Sequence, residues 1–282
     1  MLKSLCAGVA LSLGMLGATQ VSTALGQDLP DLSSDFLDRQ TLIDGDTIRF
    51  CVYEDSAIGA YDRRVAQALG DSLFLEVKIV EVEPPITVQG LDTIPISLDD
   101  LFILLTNECD AFMGMELAPE VYPVWLTLTR AYFSAPYIGV VREGEYASLE
   151  QLPEQARVAT QTLTTGDMTF NTWRQNQPES TRLRRIPYPT TSLQLERLRD
   201  MSVDAAIVWR PWLEQPEADI SGIAVVPNGM IPLSERNMAI AVRSRDSFLR
   251  SSLDEAIAHL ESDGTLAEIY QETYSVLDAP TQ

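Results

Sequence analysis

The chain has 282 residues, of which 45% are hydrophobic, and its formal net charge is −21 at pH 7. This length and composition suit one large domain or two domains of ordinary size. The negative charge argues against binding to nucleic acid or to an anionic membrane surface. It would attract a cationic solute or a basic protein, or else would only keep the protein in solution.

Residues 1–26 have the three-part layout of a secretory signal peptide. Lys3 precedes an apolar run from Leu5 to Leu16, and small residues follow between Ser22 and Gly26. The run is too short to cross a bilayer, and no later stretch has the roughly 20 apolar residues that a transmembrane helix needs. We therefore expect a periplasmic protein without membrane insertion.

Strand and helix patterns alternate after an acidic leader over residues 27–46. The predicted elements are a strand at 48–53, a helix at 61–69, a strand at 75–80, a helix from Ser97 to Asn107 and a strand beginning at Ala111. Ser97 is a good N-cap, because Asp100 stands at the position of a capping-box carboxylate. The opening of the chain therefore has the order expected of an α/β sheet.

The alternation continues through the middle of the chain, where two long extended stretches enclose it. The predicted elements are a strand at 157–160, helices at 167–175 and 193–199, a strand at 205–208, and a helical tail at 248–274 that is interrupted at Asp263-Gly264. The extended stretches, 133–142 and 237–243, resemble strands that leave a first lobe and return to it.

Alternating strands and helices favour mostly parallel sheets. We therefore predict an α/β fold of two lobes, each a mostly parallel sheet with flanking helices. Lobe 1 would comprise residues 27–137 and 243–282, and lobe 2 residues 138–242, with hinge strands at about 137–142 and 237–243.

Loss of the signal peptide would leave two cysteines, Cys51 and Cys109. An even number of cysteines in an oxidising compartment favours a disulfide, with two free buried thiols as the alternative. We expect no metal site, because the sole histidine, His259, lies far along the chain and no spacing resembles a zinc motif.

Several segments resemble type II periplasmic solute-binding proteins of the amino-acid-binding kind, known as family 3. The first-lobe motifs of that family are similar to residues 101–115, Pro119-Glu120 and 133–137. Its later motifs are similar, in the same order, to Thr164-Thr165-Gly166, Asp204-Ala205, Ala241-Val242-Arg243 and Gly264-Thr265-Leu266. The resemblance spans nearly the whole mature chain and implies a ligand cleft between two lobes.

Three departures from the family pattern concern the charged groups of the ligand. Val121 stands where amino-acid binders usually carry an arginine for the ligand carboxylate, and Trp209 replaces the acidic residue for the ligand ammonium. Glu116 and Ala118 stand where those binders usually have Ser and Thr, just before the Pro-Glu pair, and Glu116 would meet a ligand carboxylate as a like charge at short range. An ordinary free amino acid is therefore not the expected ligand.

A narrower set of strings is similar to the solute-binding-like accessory proteins of quinoprotein (PQQ-dependent) alcohol dehydrogenases. These strings are Arg49-Phe50-Cys51, Glu108-Cys109-Asp110, residues 129–132, residues 203–209 and residues 237–243. This resemblance implies a role beside a periplasmic methanol or alcohol dehydrogenase. The alternatives are the substrate-binding component of an ABC importer, which would meet a permease, and a free-standing sensor.

The predicted ligand site consists of polar and aromatic residues near the ends of strands. They are Tyr53, Glu116, Arg130, Tyr137, Thr164, Thr165, Trp209 and Arg210. Thr164 and Thr165 would present a helix N-terminus to an anionic or carbonyl group, or else would only cap the helix. Arg130 and Arg210 would replace the missing carboxylate clamp, or else would pair with surface acids.

The aromatic members of this set, Tyr53, Tyr137 and Trp209, would form a wall around an apolar or cationic ligand, together with Trp212. For Trp212, core packing is the favoured interpretation.

The sequence contains no motif that indicates catalysis or cofactor binding. It has no Gly-x-Ser-x-Gly elbow, no Walker loop and no dinucleotide-binding glycine fingerprint. His259 stands alone in a helical pattern, which does not suggest a general base. We therefore expect a non-enzymatic, monomeric protein without a cofactor, whose cleft closes around a small solute by hinge motion.

Overall fold

The computed structural model of the chain describes residues 42–43, 45–53, 55–83, 96–117 and 122–274. The predicted signal peptide, most of the acidic leader, the Pro119-Glu120 pair and Val121 lie outside these residues.

The described chain alternates strands and helices in the predicted manner. The strands are β1 (Thr47–Tyr53), β2 (Glu76–Val82), β3 (Ala111–Glu116), β4 (Leu126–Leu128), β5 (Phe133–Arg142), β6 (Arg157–Gln161), β7 (Arg184–Tyr188), β8 (Ala205–Trp209), β9 (Ile223–Val226) and β10 (Glu235–Arg243). The helices are α1 (Gly59–Leu73), α2 (Leu98–Asn107), α3 (Thr165–Gln175), α4 (Thr191–Arg199), α5 (Pro211–Glu214), α6 (Ser247–Ser262) and α7 (Thr265–Thr273).

Most of the predicted elements are confirmed, and the short ones were missed. The extended stretch at 133–142 is β5 with the same bounds. At the start of α2, the Ser97 hydroxyl oxygen accepts a hydrogen bond from the Asp100 amide at 3.0 Å, which confirms the predicted cap. Strands β4, β7 and β9 and the one-turn helix α5 were not predicted.

The strands form two groups, which we call the first half and the second half. In the first half, β1 lies between β2 and β3 and is parallel to both, and β10 is antiparallel to β3 and β4. In the second half, β6 lies between β7 and β8 and is parallel to both, and β5 is antiparallel to β8 and β9. The halves are joined where β5 and β10 pair as antiparallel neighbours.

Each half has helices on both faces of its sheet. In the first half, α1 packs with α6 and α7 on one face, and α2 packs on the other face. In the second half, Phe170 of α3 belongs to the large core, and Leu195 and Leu198 of α4 belong to a separate cluster. Of the helices that are described, none is long and apolar enough to cross a membrane.

Cys51 of β1 and Cys109, which lies two residues before β3, form a disulfide whose Cα atoms are 5.7 Å apart. Both residues are buried in the cluster that contains Leu101 and Leu105 of α2. The bond therefore ties two neighbouring strands of the first half beneath α2, as the even cysteine count suggested.

The fold brings several strand ends together with the start of a helix. Strands β3, β6 and β8 end at Glu116, Gln161 and Trp209, and α3 begins a few residues after β6. Ligands of α/β sheets gather at the carboxyl ends of parallel strands. This edge is therefore the first place to look for a functional site.

Candidate functional site

The side chain of Glu116 connects the two halves. One carboxylate oxygen accepts a hydrogen bond from the Thr165 hydroxyl at 2.6 Å, and the other accepts from Arg236 Nε at 2.7 Å. The side chains of Glu116 and Arg236 are mostly buried, with 22% and 15% of their surface exposed. The carboxylate thus lies between the first residue of α3 and the start of β10, and both of its oxygens are used.

Local hydrogen bonds fix the start of α3. Thr164 is the N-cap: its hydroxyl oxygen accepts from the Asp167 amide at 3.1 Å and donates to the Gln161 carbonyl at 2.8 Å. Asp167 in turn pairs with Arg185 at 2.5 Å. The Thr164 side chain therefore caps the helix, which was the alternative reading of the sequence. The Thr164 hydroxyl is used by these two hydrogen bonds. The contact with Glu116 is made by its neighbour Thr165.

The start of α3 favours an anion, because the helix dipole leaves partial positive charge there. Such placement typically stabilises a carboxylate by about 0.3–1 kcal/mol, and by up to about 2 kcal/mol where water is partly excluded. The Glu116 carboxylate lies at this end of the helix, where it accepts from the Thr165 hydroxyl.

Trp209 is buried, with 3% of its surface exposed. Its indole nitrogen donates to the Ala135 carbonyl at 3.1 Å, and the guanidinium carbon of Arg236 lies 4.7 Å from its ring centroid. A stacked cation of this kind contributes about 0.5–2 kcal/mol. The aromatic face that the sequence suggested for a ligand cation is therefore covered by an arginine of the chain itself.

Tyr137 of β5 pairs with Trp209 in the ladder between β5 and β8. Its ring lies against Gly166, where an added Cβ atom would come within 2.5 Å of the ring. Burial raises the pKa of Tyr137, and the positive charge of Arg236 opposes this shift. The structure thus brings Glu116, Thr165, Trp209 and Arg236 together with Tyr137. We call the first four the Glu116 cluster.

The two arginines expected to clamp a ligand carboxylate are engaged elsewhere. Arg130 is exposed and pairs with Glu261 of α6 at 3.0 Å. Arg210 pairs with the buried Glu214 one helical turn later, at 2.7 Å. The structure does not bring either arginine to the Glu116 cluster.

Tyr53 also lies outside the cluster. Its ring packs edge-on against Phe112 with a centroid distance of 5.3 Å, in the same core as the disulfide. Burial, and then the charge of Asp100, raises the pKa of Tyr53. The residue therefore packs toward α2 and is not part of an aromatic wall with Trp209.

Arg236 is the cluster member that the sequence interpretation missed. It directly precedes the return strand that was predicted to begin at residue 237. This position was the only sequence feature that could have indicated a role for Arg236 in the site. In the ladder between β10 and β3, Met238 pairs with Glu116. Arg236, two residues earlier on the same strand face, is a diagonal neighbour of Glu116 within reach of a long side chain.

A cavity of about 440 Å³ lies between residues of the two halves. Its lining residues are Asp55, Ser56, Ala57, Ala60, Arg63, Trp212, Gln215, Pro216, Glu217, Thr273 and Tyr274. The first five and the last two belong to the first half, and the other four follow β8 in the second half. Trp212, for which packing was the favoured interpretation, contributes an aromatic surface to this cavity, whereas the eight predicted site residues do not line it.

The charges around the cavity are unequal. Arg63 makes two hydrogen bonds to Glu81, at 2.7 and 2.6 Å, which offset its positive charge. Asp55 and Glu217 add two carboxylates to the lining. The cavity therefore has a net negative environment beside an indole ring. Over the described part of the chain, no group of three or more His, Cys, Asp or Glu side chains could hold a metal ion.

No family model and no curated protein matches the sequence. Solved structures do match it over most of its length. An ancestral cationic amino-acid solute-binding protein is 19% identical, with a TM-score of 0.59, over 81% of this chain and 96% of its own. The chain has the type II solute-binding fold.

Two further structures share the solute-binding fold with this chain. A domain of BvgS from Bordetella pertussis, a double mutant, is 15% identical with a TM-score of 0.58, over 80% of this chain and 93% of its own. An amino-acid ABC transporter substrate-binding protein from Streptococcus pneumoniae, bound to L-arginine, is 16% identical with a TM-score of 0.55, over 81% and 94%. These likenesses confirm the predicted two-lobed α/β architecture. They leave the link to quinoprotein dehydrogenases without support.

Proposed function

We propose that this protein is a non-enzymatic periplasmic solute-binding protein that takes a small organic cation into the cavity between its halves and delivers it to an ABC permease. The observation that carries the proposal is the cavity of about 440 Å³, whose walls come from both halves. A site of this kind closes or opens when the halves move, so that binding energy shifts the population toward the closed state.

The chemistry of the cavity favours a cation. The Trp212 ring offers a π face, and Asp55 and Glu217 offer carboxylates. The net charge of −21 would also raise the local concentration of cations. Two of the solved structures with this fold are described as a cationic amino-acid binder and as an arginine complex, which agrees with a positively charged ligand; both of those ligand types also carry a carboxylate.

The proposed ligand lacks a free carboxylate. Asp55 and Glu217 in the cavity lining would repel one. At the strand-end edge, the Thr165 hydroxyl and Arg236 could hold a carboxylate, but they already bind Glu116. We further propose that lobe 1 comprises residues 27–137 and 243–282 and lobe 2 residues 138–242, with hinge strands at about 137–142 and 237–243. Arg236 directly precedes the second hinge strand and is counted with the first half, because β10 pairs with β3 and β4. In this arrangement Glu116, Tyr137, Thr164, Thr165 and Trp209 belong to the surfaces that meet on closure, whereas the solute binds beside Trp212.

The test is isothermal titration calorimetry of the mature protein with agmatine, putrescine and choline, and with arginine and glutamine for comparison. We expect the cations without a carboxylate to bind more tightly. Trp212→Ala should weaken cation binding about 2- to 30-fold, which corresponds to the loss of a cation–π contact. Glu217→Gln should weaken it as well, and Phe248→Ala, at an exposed site on α6, is the control that should leave binding unchanged. Equal affinity of the Trp212 variant, or no binding of any cation, would refute the proposal.

A second candidate is the accessory role beside a quinoprotein alcohol dehydrogenase, which the narrower sequence resemblance implies. The favouring observation is that the Glu116 cluster fills the strand-end edge with the chain's own side chains, as expected of a protein that has given up a ligand there. A pull-down from periplasmic extract separates the two roles. Co-purification of a quinoprotein dehydrogenase, together with no cation binding in calorimetry, would favour the accessory role.

A further inference from the structure

We propose that the Glu116 carboxylate is a built-in ligand of this protein. Glu116 belongs to the first half, and its carboxylate lies at the start of α3 in the second half, where an anion is favoured. It thereby holds the halves together without a solute, and it excludes solutes that carry a carboxylate from this edge. The inference rests on the fold and on the Glu116 cluster, and it does not require a solute beside Trp212.

Arg236 holds the Glu116 carboxylate ready within the first half. The two residues lie on adjacent strands of one ladder, and Arg236 Nε binds one oxygen at 2.7 Å. This ion pair orders the carboxylate before it meets its partner in the second half. Arg236 also stacks on Trp209 of the second half, so this contact too joins the halves.

Thr165 is the partner that comes from the other half. It is the first residue of α3, a helix of 11 residues, so that its hydroxyl lies at the positive end of the helix. The second carboxylate oxygen of Glu116 accepts from this hydroxyl at 2.6 Å. If the halves separate, the pair with Arg236 can persist, but the contact with α3 is lost. The hydrogen bond to Thr165 is therefore the contact that responds to opening.

The same geometry makes Glu116 a specificity-determining residue. The start of α3, the Thr165 hydroxyl and Arg236 together would suit a carboxylate from any source. The carboxylate of Glu116 belongs to the chain itself, so its local concentration at this place is higher than a free solute reaches. Removal of the Glu116 side chain beyond Cβ should leave a space that accepts an external carboxylate of the same size.

Acetate (CH3–COO⁻) is the probe for this space, because it matches in size the CH2–COO⁻ group that Glu116→Ala removes. We expect the variant to melt at a lower temperature than the wild type. Acetate at about ten times its dissociation constant should raise that temperature by about 3–6 °C, while chloride at equal ionic strength should not. The wild type and Glu145→Ala should not respond to acetate, because Glu145 pairs with Arg142 within the second half alone. An acetate response equal to that of chloride in Glu116→Ala would overturn the proposal.

A distance measurement tests the holding role separately. Cysteines introduced at the exposed positions Gln67 of α1 and Glu179 after α3 can carry spin labels, because the native Cys51–Cys109 pair is buried and oxidised. Glu116→Ala should lengthen the distance between the labels, and acetate should shorten it again. An unchanged distance in the variant would refute the holding role. Failure of cation binding beside Trp212 would count against the proposed function alone, so the two results are distinguishable.

Discussion

Replacement of Asp62 by asparagine should remove a large part of the dependence of stability on pH. Asp62 of α1 is almost completely buried, and one of its carboxylate oxygens accepts a hydrogen bond from the Tyr132 hydroxyl at 2.5 Å. The Tyr132 oxygen accepts in turn from the Gly114 amide at 2.9 Å. This chain of hydrogen bonds fastens β3, which carries Glu116, to the first helix.

Burial raises the pKa of Asp62 from 3.8 to about 7, although the hydrogen bond from Tyr132 and the charge of Arg63 act to lower it. Between pH 4 and 7 the folded protein therefore holds a proton that the unfolded chain releases. Stability must fall as the pH rises through this window, because the folded state binds more protons. The full shift corresponds to about 4 kcal/mol, and the part between pH 5 and 8 to about 2–3 kcal/mol.

The assay is urea denaturation of the wild type and of Asp62→Asn at pH 5 and pH 8. Other titrating groups contribute equally to both proteins and cancel in the comparison. We expect the stability of the variant relative to the wild type to increase by about 2–3 kcal/mol from pH 5 to pH 8. Parallel pH profiles would show that Asp62 titrates near its ordinary pKa and would refute the reasoning.

Two further predictions concern packing and cross-linking. Gly166→Ala should destabilise the protein by about 1–3 kcal/mol, because the new Cβ would come within 2.5 Å of the Tyr137 ring; a melting temperature at or above that of the wild type would contradict this. Replacement of Cys51 and Cys109 together by alanine should lower the free energy of unfolding by about 4 kcal/mol in the chain-entropy estimate for their separation of 58 residues. Chemical denaturation measures this loss, and equal midpoints would argue against a disulfide in solution.

Strands and helices could be predicted from the sequence where a hydrophobic pattern extended over many residues, or where a capping residue marked the start of a helix. The elements that were missed lacked such a signal. Strand β7 contains two arginines and Pro187, which suits its place at the end of the strand order but hides it as a strand. Strands β4 and β9 have only 3 and 4 residues, too few for a period to be recognised.

The candidate site could be predicted only in part, because the sequence indicates which strand ends meet but not where each side chain points. The strand-end rule selected Glu116 and Trp209, which do lie together. It did not find Arg236, whose bond to Glu116 joins residues 120 positions apart across two antiparallel strands. Arg130 was predicted to replace the missing carboxylate clamp, but it pairs with Glu261. The position of a residue along the chain does not determine the direction of its side chain.

The position of β10 beside β3 has a consequence for the order in which the protein can fold. The second half is formed by one continuous stretch of chain from β5 to β9, whereas the sheet of the first half is completed only by β10, after that whole stretch has been synthesised. Until then the edge of β3 has open backbone groups, which invite pairing with other strands. A product that ends before residue 235 would therefore keep the strands of its second half but would expose β3, and it should be a preferred target of proteases and export chaperones.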